Sequence, residues 1–225
     1  MVARSERRRA ALFIPSQAMH VRPSRVTVGT DGSYWGHLAL GWAVRHAHRA
    51  GLELDVYEAD RRFEPIPADL PADIGTGSAL RSYPMLPVRI RSSGNDPGAA
   101  LLAAANETGL LVLGCRGQHK CHLGVGHHAL SLAQTAPCDV VVVRGRPQAV
   151  HGEFRKVTAW VGADEDDAVV SRAREYARAT RSVLEIVRQE PGGAVPDTTD
   201  LVVVRRGPAV RTALHHATCP VYVVS

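Results

Sequence analysis

The sequence predicts an α/β protein built on a parallel sheet and made by duplication. Three observations carry this. The runs LLVL at 110–113 and VVVV at 140–143 are unbroken branched aliphatics, the pattern of strands covered by helices on both faces. Between them lie a glycine-punctuated loop, 114–126, and a helix that ends near Ala136, so the unit reads strand, loop, helix, strand. Finally, 153–225 repeats the pattern of 24–145 in shortened form.

In chain order, an Arg-rich lead (1–23) with Pro15 and Pro23 precedes a compact strand-helix-strand unit. A strand over 26–29 runs into the turn Thr30-Asp31-Gly32-Ser33, with Ser33 a helix N-cap by residue type. Leu38, Trp42 and Ala47 mark the buried stripe of the helix that follows, and Gly51 suits the residue after its end. The next strand covers 54–59, and the connection between the two should be a right-handed parallel crossover.

Five prolines between 61 and 87 argue for a long surface connection, lid-like with a short helical turn. A third strand is expected over 87–91. Asp96 and Pro97 then open a helix as N-cap and first helical residue, running to Gly109. A basic linker, 146–152, leads to the second pass. There KVTAWVGAD parallels RVTVGTDGS, and TDLVVVRRG parallels GLLVLGCRG. The copy lacks one strand and one helix, because 190–199 is only a loop.

The chain has 225 residues, 45% hydrophobic, which is ample for a packed core. Its formal charge of +5 is arginine charge, since Lys120 and Lys156 are its two lysines. Much of the excess sits in the lead, where a solvated tail accounts for it better than nucleic-acid or membrane binding. No stretch reaches the roughly 18 apolar residues of a membrane span, and a cytoplasmic protein is expected. Cys115, Cys121, Cys138 and Cys219 form no C-x-x-C pair, so reduced thiols are expected.

The strand followed by Thr30-Asp31-Gly32-Ser33, and the strand-loop-helix-strand unit over 110–144, resemble the universal stress protein family in tandem form with a degenerate second half. The resemblance implies two Rossmann-like halves with parallel sheet order 3-2-1-4-5, the second truncated. It also implies a nucleotide crevice between strands 1 and 4, where doubly wound sheets place their ligands. Carried over position by position, Asp31 would meet the ribose or adenine, with Thr30 beside it, and Ala59 would offer backbone to the adenine. Leu113, Gly114, Gly117, Gly126, His127 and His128 would line the phosphates of ATP bound with Mg²⁺.

The sequence departs from the family's loop pattern. Eight residues separate Gly117 from Gly126 where the pattern has nine, and His127 stands where Ser or Thr is expected. An imidazole can donate to phosphate, but its charge depends on pH. Lys120 could compensate as a cation in the loop. The same loop carries Cys115, His119, Cys121, His122, His127 and His128, ligand types for Zn²⁺ or Cu at a spacing that matches no standard finger; no metal site is expected.

Walker A, Gly-x-Ser-x-Gly and His-Glu-x-x-His patterns are absent, so no dedicated catalysis is expected. The leading expectation is a stress regulator that binds adenine nucleotide in its first half. The alternatives are a nucleotide-free interaction scaffold with a protein partner, and a metal- or redox-responsive protein using the Cys/His loop. The second half should hold no nucleotide, since Pro208 removes an N–H where phosphate needs donors. The strands at 140–143 and 221–224 should pair antiparallel, giving either a monomer with an internal pseudo-dimer or a homodimer.

Overall fold

The computed structural model describes residues 25–59, 76–117, 125–162, 166–189 and 193–225. The Arg-rich lead, most of the 61–87 connection, and His119, Lys120, Cys121, His122, Gly124, Ala163 and Asp164 lie outside the described residues. The first half runs β1 (Arg25–Thr30), α1 (Tyr34–Ala50), β2 (Glu53–Glu58), α2 (Thr76–Arg81), β3 (Val88–Ser92), α3 (Pro97–Ala104), β4 (Leu110–Gly114), α4 (His127–Thr135) and β5 (Asp139–Val143). A short helix α5 (Pro147–Val150) follows. The second half is β6 (Lys156–Val161), α6 (Asp167–Thr180), β7 (Val183–Arg188), β8 (Leu201–Arg205), α7 (Pro208–His216) and β9 (Val221–Val224).

Among the described residues nine strands form one sheet, in the order β3-β2-β1-β4-β5-β9-β8-β6-β7. The first five give the expected order 3-2-1-4-5, and the last four give the same order without its third strand. Every neighbour pair is parallel except β5 with β9 at the middle. There Val141 lies opposite Tyr222, flanked by Val140 with Val223 and Val142 with Val221. Laying Ala136-Pro137-Cys138 on Ala217-Thr218-Cys219 makes Val141 and Tyr222 the same position of the two repeats, so a pseudo-two-fold axis passes through that pair. The strands that would otherwise be exposed edges thus cover one another.

Local chemistry builds the elements as the residues dictate. The Ser33 hydroxyl accepts the Gly36 N–H at 3.1 Å to start α1, and Gly51, at φ 65°, ends it. Asp96 accepts the Ala99 N–H at 3.0 Å ahead of Pro97 at the start of α3. That helix is shorter than its composition suggests: it stops at Ala104, and the Asn106 amide donates to the Leu102 and Ala103 carbonyls. Nor is the stretch after β5 a solvated linker throughout, because α5 buries Ala149 and Val150 and the Val150 carbonyl accepts from Arg45 at 2.8 Å. Two cores result, one on each face of the sheet, and both run continuously across the halves. Among the described residues no helix is long and apolar enough to cross a membrane.

Candidate functional site

The crevice opens where β1 and β4 part. Their pairing ends at Val28 with Val112, whereas β1 stays paired with β2 to Thr30 and β4 with β5 to Gly114. Beyond that point the chain of β1 turns into α1 and the chain of β4 enters its loop. A gap between two diverging strands, at their carboxyl ends and at the reversal of strand order, is where doubly wound sheets bind ligands.

On the β1 side, Thr30 is buried, its hydroxyl accepts the Gly32 N–H at 3.3 Å, and its carbonyl accepts the Ala59 N–H at 2.9 Å. That last bond commits the Ala59 N–H, so of its two backbone groups the carbonyl is the one left to face a ligand. Asp31 accepts the Ser33 N–H on Oδ1 at 3.0 Å, which fixes the direction of the carboxylate. Ser33 in turn donates to the Arg116 carbonyl at 3.4 Å, tying the turn to the loop across the crevice.

On the β4 side, Gly117 lies against Asp31: a Cβ there would sit 2.7 Å from Asp31 Oδ2. The loop is pinched at its base, with the Gly126 N–H donating to the Cys115 carbonyl at 2.7 Å. α4 starts at Gly126 without a side-chain cap, and the exposed His127 and His128 form its first turn with ring centroids 5.8 Å apart. An uncapped helix start presents backbone N–H groups and the positive end of the helix dipole, which favour an anion. Asp31, Gly117, Gly126 and His127 therefore belong to one crevice.

Other expected residues serve differently. Gly114 is glycine because α1 crosses it: a Cβ would fall 2.6 Å from the Trp35 carbonyl carbon and oxygen and 3.0 Å from the Gly36 nitrogen. The Leu113 side chain is buried against Leu101 and the Gly29 position, so it can face the crevice only through its backbone. His128 leans over the start of α3, its Nδ1 lying 2.8 Å from where a Gly98 Cβ would be.

Two contributors escape a reading of the sequence. Gly36 lets the first turn of α1 sit beside Thr30 and Asp31, since its Cβ would come within 2.8 Å of Thr30 Oγ1 and 2.9 Å of Asp31 Oδ1. Arg116 stands with its guanidinium 6.0 Å from the Trp35 ring at the mouth. Neither carries a local pattern; each is recognised only once α1 and the loop are seen together.

The thiols of Cys115, Cys138 and Cys219 are buried and set for packing. Burial pushes the Cys115 thiol up, the Cys138 thiol up to about 11 and the Cys219 thiol up to about 12, keeping them protonated and unreactive at neutral pH. Among the described residues no three His, Cys, Asp or Glu side chains gather as metal ligands.

The corresponding end of the second half carries an ion pair. Leu201 pairs with Val157 as Leu110 pairs with Val26, which moves the second copy one residue from the laying of TDLVVVRRG on GLLVLGCRG and puts Arg205 where Gly114 stands; its guanidinium holds Asp166, the N-cap of α6, through Nε and, at 3.0 Å, Nη2. That hydrogen bond, ahead of the cost of burial, draws the Asp166 carboxyl below the usual range. The loop opposite is reduced to Gly207 before Pro208.

The fold recurs in solved structures that span both halves. A protein of unknown function from Pseudomonas aeruginosa PAO1 matches with a TM-score of 0.63 at 13% identity, over 89% of this chain and 92% of that one. A putative universal stress protein from Pseudomonas aeruginosa UCBPP-PA14 gives 0.62 at 14% identity, over 92% and 95%. A universal stress protein from Archaeoglobus fulgidus DSM 4304 gives 0.60 at 9% identity, over 91% and 99%. No curated protein matches the chain. The family model of the universal stress proteins matches residues 23–144, which takes in the whole of the first half with its crevice and its loop. On that match, over more than half of its length, the chain belongs to the universal stress protein family.

Proposed function

We propose that this protein is a stress regulator whose first half binds one adenine nucleotide, ATP with Mg²⁺, in the crevice between β1 and β4, and that the bound nucleotide alters the surface offered to a protein partner. The observation that carries the reading is the convergence of the fixed Asp31 carboxylate, the side-chain-free Gly117 and the uncapped start of α4 on one gap. Asp31 suits the ribose hydroxyls or the adenine edge, and the backbone N–H groups of His127 and His128 at the start of α4 suit phosphate. Neither a nucleophile-base pair nor an activated thiol accompanies them among the described residues, which is why the reading is binding and signalling. The Arg205–Asp166 ion pair, standing where the first half has Gly114 and an open turn, and Pro208 at the start of α7 support a single site per chain.

The test is a titration of fluorescent ATP with and without Mg²⁺, scored for stoichiometry. One site per chain is the expected result. One observation favours a nucleotide-free scaffold instead: the room that Gly114 leaves is used by α1 itself. Absence of binding at millimolar nucleotide would select the scaffold.

A further inference from the structure

Among the described residues the second half lacks the third strand and third helix of the first, and the chain treats the two places differently. In the first half α3 leans on β1 at Gly29, where a Cβ would lie 2.7 Å from Leu101 Cδ1. Laying Val26-Thr27-Val28-Gly29 on Val157-Thr158-Ala159-Trp160 puts Trp160 at that position, 3% exposed and packed in one core with Val195, Val204 and Val210, so a side chain takes the room of the helix. The backbone supports this register: the Ala59 N–H donates to the Thr30 carbonyl and the Gln189 N–H to the Val161 carbonyl, the same bond in each repeat. The place of the strand stays open. β2 is covered by β3, but β7, which stands where β2 stands, ends the sheet among the described residues.

The open edge is apolar. Ala159 pairs with Ile186 as Val28 pairs with Val56, and where Val56 is fully buried Ile186 is 47% exposed. Val183, at the position of Glu53, is 65% exposed. The opposite edge, β3, carries Arg89 and Arg91, charges that keep an edge strand from pairing with another chain. β7 reads VLEIVR, without Pro or Lys; it runs unbroken against β6 from Val183 to Arg188, and its Glu185 is held by Lys156 of the same half at 3.3 Å. Its backbone is set for a further strand, because in a parallel pair alternate residues turn both backbone groups to the neighbour. The Val183 N–H donates to the Arg155 carbonyl and the Gln189 N–H to that of Val161, so Leu184, Ile186 and Arg188 turn their N–H and C=O groups outward.

We infer that β7 is the surface on which a second copy of this chain docks, the two β7 strands pairing antiparallel about a two-fold axis through Ile186. Self-complementarity selects this occupant. About that axis Ile186 faces the partner's Ile186 and Leu184 faces the partner's Arg188, so each outward N–H meets an outward carbonyl in the hydrogen-bonded position of an antiparallel ladder. An axis at Glu185 or at Val187 leaves an outward residue beyond the end of the partner's strand, and the first of these also sets Glu185 against its own copy. With the axis at Ile186 the two half-exposed isoleucines cover one another, and Leu184 lies along the aliphatic stem of the partner's Arg188. The two-fold closes both open edges at once, so assembly stops at the dimer. The chain already joins its halves in this way, by antiparallel pairing of β5 with β9 beside a pseudo-two-fold.

Sedimentation of the full chain over a range of concentrations tests this, with amide hydrogen exchange read on the same samples. The expected result is a dimer whose fraction rises with concentration, and slowed exchange of the Leu184, Ile186 and Arg188 amides in step with it. Ile186→Lys sets like charges opposite one another at the axis, and Ile186→Pro removes an outward N–H while leaving the ladder to β6 intact. Each should weaken the dimer more than ~10-fold with the circular dichroism spectrum of the wild type. Ile90→Lys, on the edge strand β3, should leave the dimer as it is. A chain that stays monomeric throughout the micromolar range would overturn the inference, as would a dimer that survives both Ile186→Lys and Ile186→Pro. Open-ended assembly abolished by Ile90→Lys would overturn it too, because β7 would then pair with β3 of the next copy.

Discussion

The Tyr176 hydroxyl and His46 Nδ1 share a hydrogen bond of 2.7 Å, and these two residues occupy the same place in the two repeats, one turn before the end of α6 and of α1. Their rings stack at 5.4 Å, with Trp42 beyond His46 and Tyr222 edge-on to Tyr176. The seam between the halves is thus an aromatic column beside the pseudo-two-fold axis, with one polar contact inside it.

The burial of the His46 imidazole makes the seam sensitive to acid. Burial first, then the charges of Arg49 and Arg172, lower His46 to about 4, against about 6.5 in an unfolded chain. A histidine depressed on folding contributes stability that is whole above about pH 6.5 and is lost as pH falls toward about 4, because the unfolded chain then binds the extra proton. The loss should reach about 3 kcal/mol over that window. Urea unfolding across pH should show it, and His46→Gln should flatten the dependence.

Removing the hydroxyl alone is a milder change. Tyr176→Phe keeps the stack and loses one hydrogen bond, so a destabilisation of about 1 kcal/mol is expected at neutral pH. A melting temperature equal to that of the wild type would show that the bond contributes nothing.

Asp139 is the charged anchor of the same seam. It is 5% exposed and accepts from the Tyr222 hydroxyl at 2.8 Å, from Arg172 at 2.9 Å, and from the Ser225 N–H and hydroxyl at 2.9 and 3.0 Å. Asp139→Ala would leave the Tyr222 phenol and the Ser225 N–H without their acceptor and the Arg172 guanidinium with Glu175 as its remaining carboxylate. The expected cost is about 3 kcal/mol or more, measured as a shift of the urea midpoint. An effect below about 1 kcal/mol would mean that solvent replaces the carboxylate.

For the nucleotide crevice, Gly117→Val should weaken ATP by more than ~10-fold, about 1.4 kcal/mol, because a side chain there displaces the Asp31 carboxylate as well as narrowing the gap. Asp31→Ala should weaken it in the same direction. His127→Ala, which removes an imidazole donor from the first turn of α4, should weaken it too. Equal affinities for wild type and all three variants would move the ligand elsewhere.

Gly114→Ala separates stability from binding at the end of β4. Its Cβ would meet backbone atoms of α1 at 2.6 Å, and backbone cannot rotate aside, so the expected result is a loss of about 2–3 kcal/mol with or without nucleotide. Unchanged stability with lost ATP binding would return Gly114 to the ligand.

The sequence by itself determined whatever a few neighbouring residues control. Unbroken aliphatic runs set the strands, Ser33, Gly51 and Asp96 set helix ends, and the echo of 24–145 in 153–225 set the duplication, its missing strand and helix, and the meeting of β5 with β9. Of the crevice, Asp31 and Gly117 were legible because turn chemistry and glycine are local signals. Tertiary structure decided the rest. A glycine reads alike whether a ligand or a helix needs its space, and only the packing shows that α1 takes the room at Gly114 and α3 the room at Gly29. Trp160 and the joined His46 and Tyr176 are likewise ordinary helix and strand residues in the sequence. Their roles arise from sheet order and twist, which bring together side chains 130 positions apart that no local period connects.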